Sequence, residues 1–344
     1  MKAADKKSQH LDAVVVGAGI IGLWTAVHLA RRGCQVALIE QQTVPINATV
    51  NSGAGIRFFD PNTQIHDWVR QSHSFYQELG SSGAFTPAPA IYCLDANDDS
   101  TILMDAQARG FGLLDNTKLT TLYPDLTWPT SIWAVEDSEA GYRNPTQVCN
   151  ALLSLCKQLG VHIAFGERVH ALEAGQSLRV RTDQCAYCSE HVFLASGYWT
   201  PTLLKELGIP VQVRNRTVTI HYSNEKIHAK LPFLVEHKSG FHMRPTDGGM
   251  LFGLPQLDYD IPPGELPNRG DKQSNAAFEH IRRYLPQTTM QSSVLHTVRS
   301  ADAFPLGVPS ESLPDNLNVI ALGQGSAFKY APAMTLSHIK KYFR

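Results

Sequence analysis

The amino-terminal part of the chain alternates between apolar runs and a glycine-containing turn. The run DAVVV at 12–16 predicts a buried strand, and GAGIIG leads from it into LWTAVHLARR, whose apolar spacing predicts a helix that ends at Gly33. A second apolar run, VALIE at 36–40, predicts another buried strand. The segment is therefore expected to form a βαβ unit.

The middle of the chain is irregular at first and then returns to clear patterns. Asn, Ser and Gly are frequent in 47–55, and turn formers continue to about residue 129, although helices fit the spacing near 64–79 and 102–109. TQVCNALLSLCKQLG at 146–160 predicts a helix with a glycine stop. VHIAFGERVHALEAG, SLRVRTD and HVFLASG then predict successive strands that resume the first domain.

The segment from about residue 208 to residue 295 is rich in runs that alternate between apolar and polar positions. RTVTIHYS, FHMRPT and MLFGL, separated by Pro, Asp and Gly, predict an antiparallel sheet. NVIALG at 318–323 predicts a strand that enters GQGSAF and a final helix. We therefore expect two interleaved domains, the first formed by residues 1–60, 140–207 and 296–344 and the second by residues 61–139 and 208–295.

The glycines of the first turn have the spacing of a dinucleotide site. Gly17 permits a tight turn, Gly19 lets backbone approach a pyrophosphate, and Gly22 lets the helix pack against the strand. Glu40 ends the next strand, where a carboxylate accepts hydrogen bonds from ribose hydroxyls and disfavours a 2′-phosphate. This spacing leaves NAD and FAD equally open. The residues expected at this site are Gly17, Ala18, Gly19, Ile20, Gly22, Glu40 and Gln41.

Charge and composition favour a small-molecule ligand. The net charge of −1, from 30 basic and 31 acidic residues spread along 344 positions, gives no footprint for nucleic acid or an anionic membrane. The polar first residues and the glycine-broken apolar stretch differ from a signal or membrane segment, so we expect a cytoplasmic protein. Cys185 and Cys188 form a CxxC expected in a turn between strands, and without a second pair or an HExxH no metal site is predicted.

Several segments resemble, in the same order, the amine and amino-acid oxidase superfamily that includes D-amino acid oxidase and dehydrogenase, glycine oxidase and monomeric sarcosine oxidase. They are the nucleotide motif, NSGAGIR, AGYRNP, ERVHALE, FLASGYWTPTLLKELGIPVQVRNR, FHMRPTDGGMLFG, VRSADAFPLG and NVIALGQGSAFKYAP. The resemblance implies FAD rather than NAD. It also implies an α/β fold in which a Rossmann-like FAD-binding domain is interleaved with an α+β substrate domain built on an antiparallel sheet.

The resemblance also implies which residues hold the flavin cofactor. The Ser-Gly-rich segment is expected along the pyrophosphate and flavin ring, and the backbone of Val169 is expected beside the adenine. Backbone amides at the start of the last helix are expected to point at the flavin pyrimidine, where they stabilise negative charge. The residues implied are Ser52, Gly53, Ala54, Gly55, Val169, Ser196, Gly197, Trp199, Arg299, Gly323, Gly325, Ser326, Ala327, Phe328 and Lys329.

Substrate contacts are expected from a few basic and polar side chains. Arg299 matches an arginine that binds substrate carboxylate in glycine oxidase and D-amino acid dehydrogenase, the alternative being a structural ion pair. Lys329 matches a carboxylate-binding lysine of sarcosine oxidase, the alternative being a solvated lysine, and Arg57 is a secondary candidate. Tyr222 and His242, like Arg244, fall on strands whose alternate residues face either the pocket or solvent.

Two departures from the family pattern bear on the chemistry. Val298 stands where sarcosine oxidase has the cysteine that carries flavin, and Leu251 stands where it has the lysine that assists the oxygen reaction. FAD is therefore expected to bind noncovalently, and reaction with oxygen is expected to be slow.

The leading hypothesis is oxidation of the C–N bond of an amine or amino acid by hydride transfer to flavin N5. The alternatives are an FAD enzyme of another biosynthetic reaction class and an FAD-binding subunit of a larger oxidoreductase. The sequence carries no signal for an oligomeric state.

Overall fold

A seven-stranded sheet holds the predicted βαβ unit. The computed structural model describes residues 10–44, 47–173, 177–209, 213–223, 230–246, 248–260, 270–286, 296–305, 315–320 and 326–341. The strands of this first sheet are β1 (His10–Val16), β2 (Val36–Glu40), β9 (His162–Phe165), β10 (Val169–Glu173), β11 (Leu178–Thr182), β12 (Ala186–Leu194) and β18 (Leu317–Val319). Their order is β10-β11-β12-β1-β2-β9, and β18 pairs with the carboxyl-terminal half of β12.

Parallel pairing in the centre of this sheet explains the unbroken apolar runs. β1 lies between β2 and β12 and pairs in parallel with both, with Val14 opposite Ala37 and Val192. Strands covered on both faces need apolar residues at every position rather than at alternate ones. β2 accordingly is buried at all of its positions. The carboxyl ends of β1, β2 and β12 meet at one edge, where the glycine turn begins.

A second, eight-stranded sheet is mainly antiparallel, as the alternating patterns predict. Its strands run in the order β17-β13-β16-β15-β14-β5-β7-β6. Their bounds are β5 (Ala90–Asp95), β6 (Gly112–Asp115), β7 (Ile132–Asp137), β13 (Val213–Ser223), β14 (Phe233–Glu236), β15 (His242–Thr246), β16 (Gly249–Tyr259) and β17 (His296–Pro305). β14 and β5 pair in parallel, which joins the two halves of this sheet.

A small third sheet and the helices complete the described part of the chain. The third sheet consists of β3 (Gly55–Ile56), β4 (Phe85–Pro87) and β8 (Gly141–Arg143) in the order β3-β8-β4. The α-helices are α1 (Ile20–Ala30), α2 (Thr63–Gln77), α3 (Ser100–Ala108), α4 (Asn116–Leu122), α5 (Pro145–Gln158), α6 (Thr200–Glu206), α7 (Gly270–Tyr284) and α8 (Ala327–Ile339). The helices predicted near 64–79, 102–109 and 146–160 are confirmed as α2, α3 and α5.

Two segments lie with different partners from those expected. α2, assigned from sequence to the second domain, packs on α1 and α8, and its Tyr76 meets Trp24 of α1 edge to face at 5.7 Å between ring centroids. β17, assigned to the first domain, pairs along its length with β13 in the eight-stranded sheet. The domain boundaries expected at residues 61 and 296 stay a prediction, while α2 and β17 make these contacts across them. An amphipathic helix or strand does not encode which of two apolar surfaces it will cover.

The structure also bears on the expected position of the CxxC cysteines, on metal sites and on membrane-spanning helices. Cys185 precedes β12 and Cys188 lies within it, so only the first of the two is at the turn, and both are free thiols. Within the described residues there is no group of three His, Cys, Asp or Glu side chains arranged to hold a metal ion. No helix in the described ranges combines the length and apolar character that crossing a membrane requires.

Candidate active site

The glycine turn between β1 and α1 has the geometry that its spacing predicts. Gly17 has φ +104°, and a Cβ there would lie 2.5 Å from the carbonyl oxygen of Ala195. A Cβ on Gly22 would lie 1.8 Å from the carbonyl oxygen of Gly17. Around Gly19, by contrast, the nearest atom to such a Cβ is Thr49 Oγ1 at 3.5 Å. The first and third glycines are thus required by packing, whereas the second leaves room for a ligand to approach the backbone.

Glu40 has a structural role in addition to the one predicted. Its Oε2 accepts a hydrogen bond from the backbone N–H of Ala18 at 2.8 Å, and its Oε1 accepts one from that of Gln42 at 2.9 Å. The carboxylate therefore fixes the glycine turn to the end of β2. Each carboxylate oxygen retains a second acceptor position, so the side chain can still bind ribose hydroxyls. Glu40 lines the cavity described next.

One cavity of about 690 Å³ extends from the glycine turn to the second sheet. It brings together most of the residues predicted to bind cofactor or substrate. These are Gly17, Gly19, Ile20, Glu40, Gln41, Ser52, Gly53, Ala54, Gly55, Arg57, Val169, Ser196, Gly197, Trp199, His242, Ser326, Ala327, Phe328 and Lys329. They come from both sheets and from the first turn of α8.

The remaining predicted residues have other positions. Ala18 and Gly22 support the glycine turn without lining the cavity. Tyr222 is not among the residues that line the cavity, whereas Ile220, two residues earlier on the same strand β13, is. Arg299 lies on β17 with its backbone opposite Thr219, and its side chain is outside the described residues, as are Gly323 and Gly325.

The Ser-Gly-rich segment is held tightly against the second sheet. Arg244 of β15 donates a hydrogen bond to the carbonyl oxygen of Gly53 at 2.8 Å, and its guanidinium lies 3.8 Å from the ring centroid of Tyr142. A Cβ on Gly55 would lie 2.6 Å from the ring of Phe233, so a larger residue there would have to displace that ring. The segment therefore forms a wall of fixed position between the two sheets. The sequence pattern marks Arg244 only as one of several polar residues on strands.

Lys329, in the first turn of α8, is buried rather than solvated. Its side chain is 2% exposed, and its Nζ lies 2.7 Å from Oδ2 of Asp60. Burial, with a smaller effect from the nearby Arg57, lowers the pKa of Lys329 to about 8, although Asp60 opposes the shift. Tyr76 donates a hydrogen bond to the carbonyl oxygen of Phe328, which fixes the same turn of α8. The solvated alternative for Lys329 is therefore wrong.

Arg57 directs an unsatisfied donor into this end of the site. Its guanidinium carbon lies 5.5 Å from the ring centroid of Tyr92 and 6.0 Å from that of Phe233. Among the described residues, its Nη1 is buried and has no hydrogen-bond partner. A buried guanidinium N–H without an acceptor is unfavourable, and a bound carboxylate would satisfy it.

Asp137, at the end of β7, positions Arg57 although no sequence signal indicated it. Its Oδ2 accepts hydrogen bonds from the backbone N–H groups of Phe58 and Phe59 at 2.6 and 2.8 Å. Burial raises the pKa of Asp137, while these two hydrogen bonds and the nearby Arg57 oppose the shift. The carboxylate thus fixes the chain immediately after Arg57. Asp137 follows an ordinary strand pattern, so its role depends on contacts distant in sequence.

His242 presents a neutral imidazole to the cavity. Its Nδ1 lies 3.3 Å from the carbonyl oxygen of Gly240, and since a carbonyl only accepts, Nδ1 carries the proton. Burial lowers the pKa of His242 to about 4, with Arg57 and Arg244 adding to the shift. At neutral pH the ring is therefore uncharged, and Nε2 is a hydrogen-bond acceptor.

A glycine turn held by Glu40 at the end of β2, together with a cavity shared by a parallel and an antiparallel sheet, is the arrangement of a dinucleotide-binding oxidoreductase. The chain belongs to the FAD dependent oxidoreductase family, which it matches over residues 12–335. FAD is accordingly its cofactor, and the open backbone at Gly19 together with the free acceptor positions of Glu40 fits the nucleotide part of that molecule.

Individual relatives agree with this assignment. The chain is 24% identical to peroxisomal sarcosine oxidase of Homo sapiens over 94% of this chain and 90% of that protein. It is 28% identical to glycine oxidase of Pseudomonas putida over 87% of this chain and 84% of that protein. Its fold is similar to the crystal structure of L-proline dehydrogenase from P. horikoshii, with a TM-score of 0.77, 18% identity and coverage of 97% and 94%.

Proposed function

We propose that this protein uses FAD to oxidise the carbon–nitrogen bond of an amine or amino acid that carries a carboxylate. The observation that supports this most directly is that Arg57 and Lys329, 272 positions apart by their numbering, lie at one end of the same cavity. Asp60 balances the charge of Lys329, so the net positive charge and the unsatisfied donor of Arg57 favour binding of an anion here. The relatives named above are sarcosine and glycine oxidases, whose substrates are small amino acids.

The chain's own residues would position such a substrate. Arg57 would bind the carboxylate through Nη1, and Lys329 would contribute its ammonium group from the first turn of α8. Tyr92 and Phe233 flank Arg57 and provide an apolar wall that excludes water from the bond to be oxidised. Bound FAD supplies the hydride acceptor for this chemistry. Fixing the carboxylate leaves the carbon that bears nitrogen in one orientation, which is the main contribution of such a site.

We further propose that an acceptor other than oxygen reoxidises the protein most rapidly. Leu251 lies against Gly53, with its Cδ1 3.2 Å from where a Cβ on that glycine would be, and it lines the cavity. The side chain at this position is therefore apolar where the sarcosine oxidase pattern has a lysine. An apolar group offers no positive charge to stabilise reduced oxygen.

The visible spectrum of the purified protein tests the proposed reaction. Pools of D-amino, L-amino and N-methyl amino acids are added without oxygen, and one pool is expected to bleach the flavin absorbance. Arg57→Met should retain flavin but need a much higher substrate concentration. Arg179→Met, at an exposed ion pair on β11, is the matched control and should behave as the wild type. A flavin that dithionite reduces but no pool bleaches would contradict the proposal.

A further inference from the structure

A row of three polar side chains leads from the cavity toward solvent. Tyr92 of β5 and His237, which follows β14, both line the cavity, and the Tyr92 hydroxyl oxygen lies 2.7 Å from His237 Nδ1. On the far side of the imidazole, Nε2 lies 3.9 Å from Oδ1 of Asp99, which precedes α3. The side chain of His237 is 34% exposed, so the row connects the cavity with bulk water.

The register of the second sheet fixes this row. β14 pairs with β5 so that Val235 lies opposite Tyr92, and the backbone N–H of His237 donates to the carbonyl oxygen of Cys93 at 2.9 Å. Asp99 is held by its other oxygen, Oδ2, which accepts from the backbone N–H of Asp95 at 2.9 Å. All three side chains are therefore positioned by backbone contacts.

The carboxylate determines the direction of the hydrogen bonds. A negative charge beside Nε2 favours the tautomer that is protonated there, which leaves Nδ1 as an acceptor. The Tyr92 hydroxyl then donates to His237, and its oxygen keeps lone pairs that face the cavity. Burial raises the pKa of Tyr92 to about 12, so the hydroxyl is neutral at physiological pH and can accept a proton only by passing on its own.

Other charged groups around the row do not replace Asp99. The Glu236 carboxylate, next to His237 in sequence, is already engaged by the hydroxyls of Ser239 and Tyr284 and lies 3.4 Å from His280. Lys238 is directed to Asp98 at 3.5 Å. The charged groups that act on Tyr92 are Arg57, Asp60 and Asp99, and Asp99 is also the one paired with His237. Glu236 and Lys238 are the neighbours of His237 in the chain, and Lys238 is paired with Asp98.

We propose that Tyr92, His237 and Asp99 form a proton relay that removes a proton from the ammonium group of the bound substrate. An amine can lose hydride from its carbon only when the nitrogen has a free electron pair, and amino acids bind from neutral water as ammonium ions. The substrate N–H bond breaks as a bond forms to the Tyr92 oxygen, while the Tyr92 proton moves to His237 Nδ1. Asp99 stabilises the resulting imidazolium, and no electrons change hands in this step.

The proposal rests on the proposed function, because it needs a carboxylate-bearing amine beside Arg57. Tyr92 would touch the substrate, and His237 and Asp99 would act through it. The test is the pH profile of kcat/KM for the wild type and for Tyr92→Phe, His237→Gln and Asp99→Asn, with the substrate that bleaches the flavin. Tyr123→Phe, in the core away from the cavity, and His170→Gln, on the exposed side of β10, are the matched controls.

We expect Tyr92→Phe and His237→Gln to lower kcat/KM at neutral pH by roughly 100-fold, the contribution of a general base. The loss should shrink at high pH, where the substrate arrives as the free amine and needs no relay. In Asp99→Asn the imidazolium loses its neighbouring anion, so kcat/KM at neutral pH should also fall, and this loss too should shrink at high pH.

The outcomes separate this proposal from the proposed function. A wild type whose flavin no amino-acid pool bleaches would contradict the function itself. If the wild type is active and the variants lower kcat/KM by the same factor at every pH, the relay is overturned and the three side chains only contribute to packing. If a variant loses FAD, the wild type alone can test the relay. The relay predicts a solvent deuterium isotope effect on kcat/KM at neutral pH that disappears at high pH. An isotope effect that persists at high pH would contradict the relay.

Discussion

Lys329 Nζ and Asp60 Oδ2 lie 2.7 Å apart, although 269 positions separate them in the chain. The pair places a buried cation of lowered pKa at the end of the cavity where Arg57 also lies. A lysine that loses its proton near pH 8 makes anion binding sensitive to pH in a range where most lysines remain charged.

The affinity for carboxylates should therefore decrease as pH rises through about 8. The probe is propionate, a carboxylate without an amino group, and its Kd is measured by the perturbation of the flavin spectrum between pH 6 and pH 10. Loss of the Lys329 proton removes a charged hydrogen bond to the ligand, which weakens binding roughly 10- to 100-fold. The lowered pKa also affects stability. Between about pH 8 and the ordinary lysine pKa, the unfolded chain binds a proton at Lys329 that the folded protein has lost, so the free energy of unfolding should increase with pH in this range.

Variants at the two positions check that interpretation. Lys329→Met should bind propionate weakly at all pH values, and Lys329→Arg should bind it without the change near pH 8, because arginine stays protonated. Asp60→Asn removes the anion that favours the charged lysine, so the transition should move to lower pH. A wild-type Kd that is constant across the range would contradict the assignment of Lys329 to the carboxylate.

Substitutions of Gly19 and Gly22 in the nucleotide turn should have different effects, the first on FAD binding and the second on stability. Gly19→Val points a side chain into open space above the turn, so the protein should fold but lose FAD. Gly22→Ala places a Cβ 1.8 Å from the carbonyl oxygen of Gly17 and should lower the free energy of unfolding by at least about 1–3 kcal/mol. Flavin absorbance per protein and urea unfolding measure the two effects. Full FAD occupancy in Gly19→Val would show that the turn does not carry the pyrophosphate.

Asp137→Ala should disturb both stability and substrate binding. The variant leaves the backbone N–H groups of Phe58 and Phe59 without their buried acceptor, which should cost about 1–3 kcal/mol. Because the same contacts fix the chain beside Arg57, KM for the substrate should rise more than kcat falls. Asp137→Asn keeps one amide oxygen as an acceptor and should recover most of the stability. Equal kinetics in Asp137→Ala and the wild type would show that Arg57 is positioned by other contacts.

Leu251→Lys should increase the rate at which oxygen reoxidises the reduced protein. A cation beside Gly53 would stabilise negative charge on reduced oxygen, and we expect an increase of at least about tenfold. The wild type should turn over faster with an artificial electron acceptor than with oxygen. Leu251→Met, similar in size and uncharged, is the control. Rapid oxidation of the wild-type protein in air would contradict the proposal for its acceptor.

The flavin should be released when the protein is denatured. Val298 carries no thiol at the position that matches the flavin-carrying cysteine of sarcosine oxidase, so acid precipitation should leave all FAD in the supernatant. Absorbance of the supernatant and of the redissolved pellet measures the two fractions. Flavin that stays with the pellet would show a covalent bond to another residue.

Local pattern was sufficient to identify the nucleotide site and most of the helices. Gly17, Gly19 and Gly22 act within a single turn, and Glu40 follows one helix later, so their spacing alone indicates their role. The antiparallel sheet was likewise predictable, because alternation along a strand reports that one of its faces is buried. These features depend on residues that are neighbours in the chain or are separated by one element of fixed length.

The substrate end depended on long-range packing that no local pattern contains. Asp60 lies in an ordinary turn pattern, and it contacts Lys329 only because α8 packs beside that turn. Tyr92 lies in an ordinary strand pattern, and it contacts His237 only because of the register between β5 and β14. A polar residue on a strand has the same signature whether it faces solvent or a cavity, which is why Tyr222 and His242 could not be distinguished in advance. Helix periodicity predicts that α2 has one apolar face. The packing of the surrounding core determines that α1 and α8 cover this face.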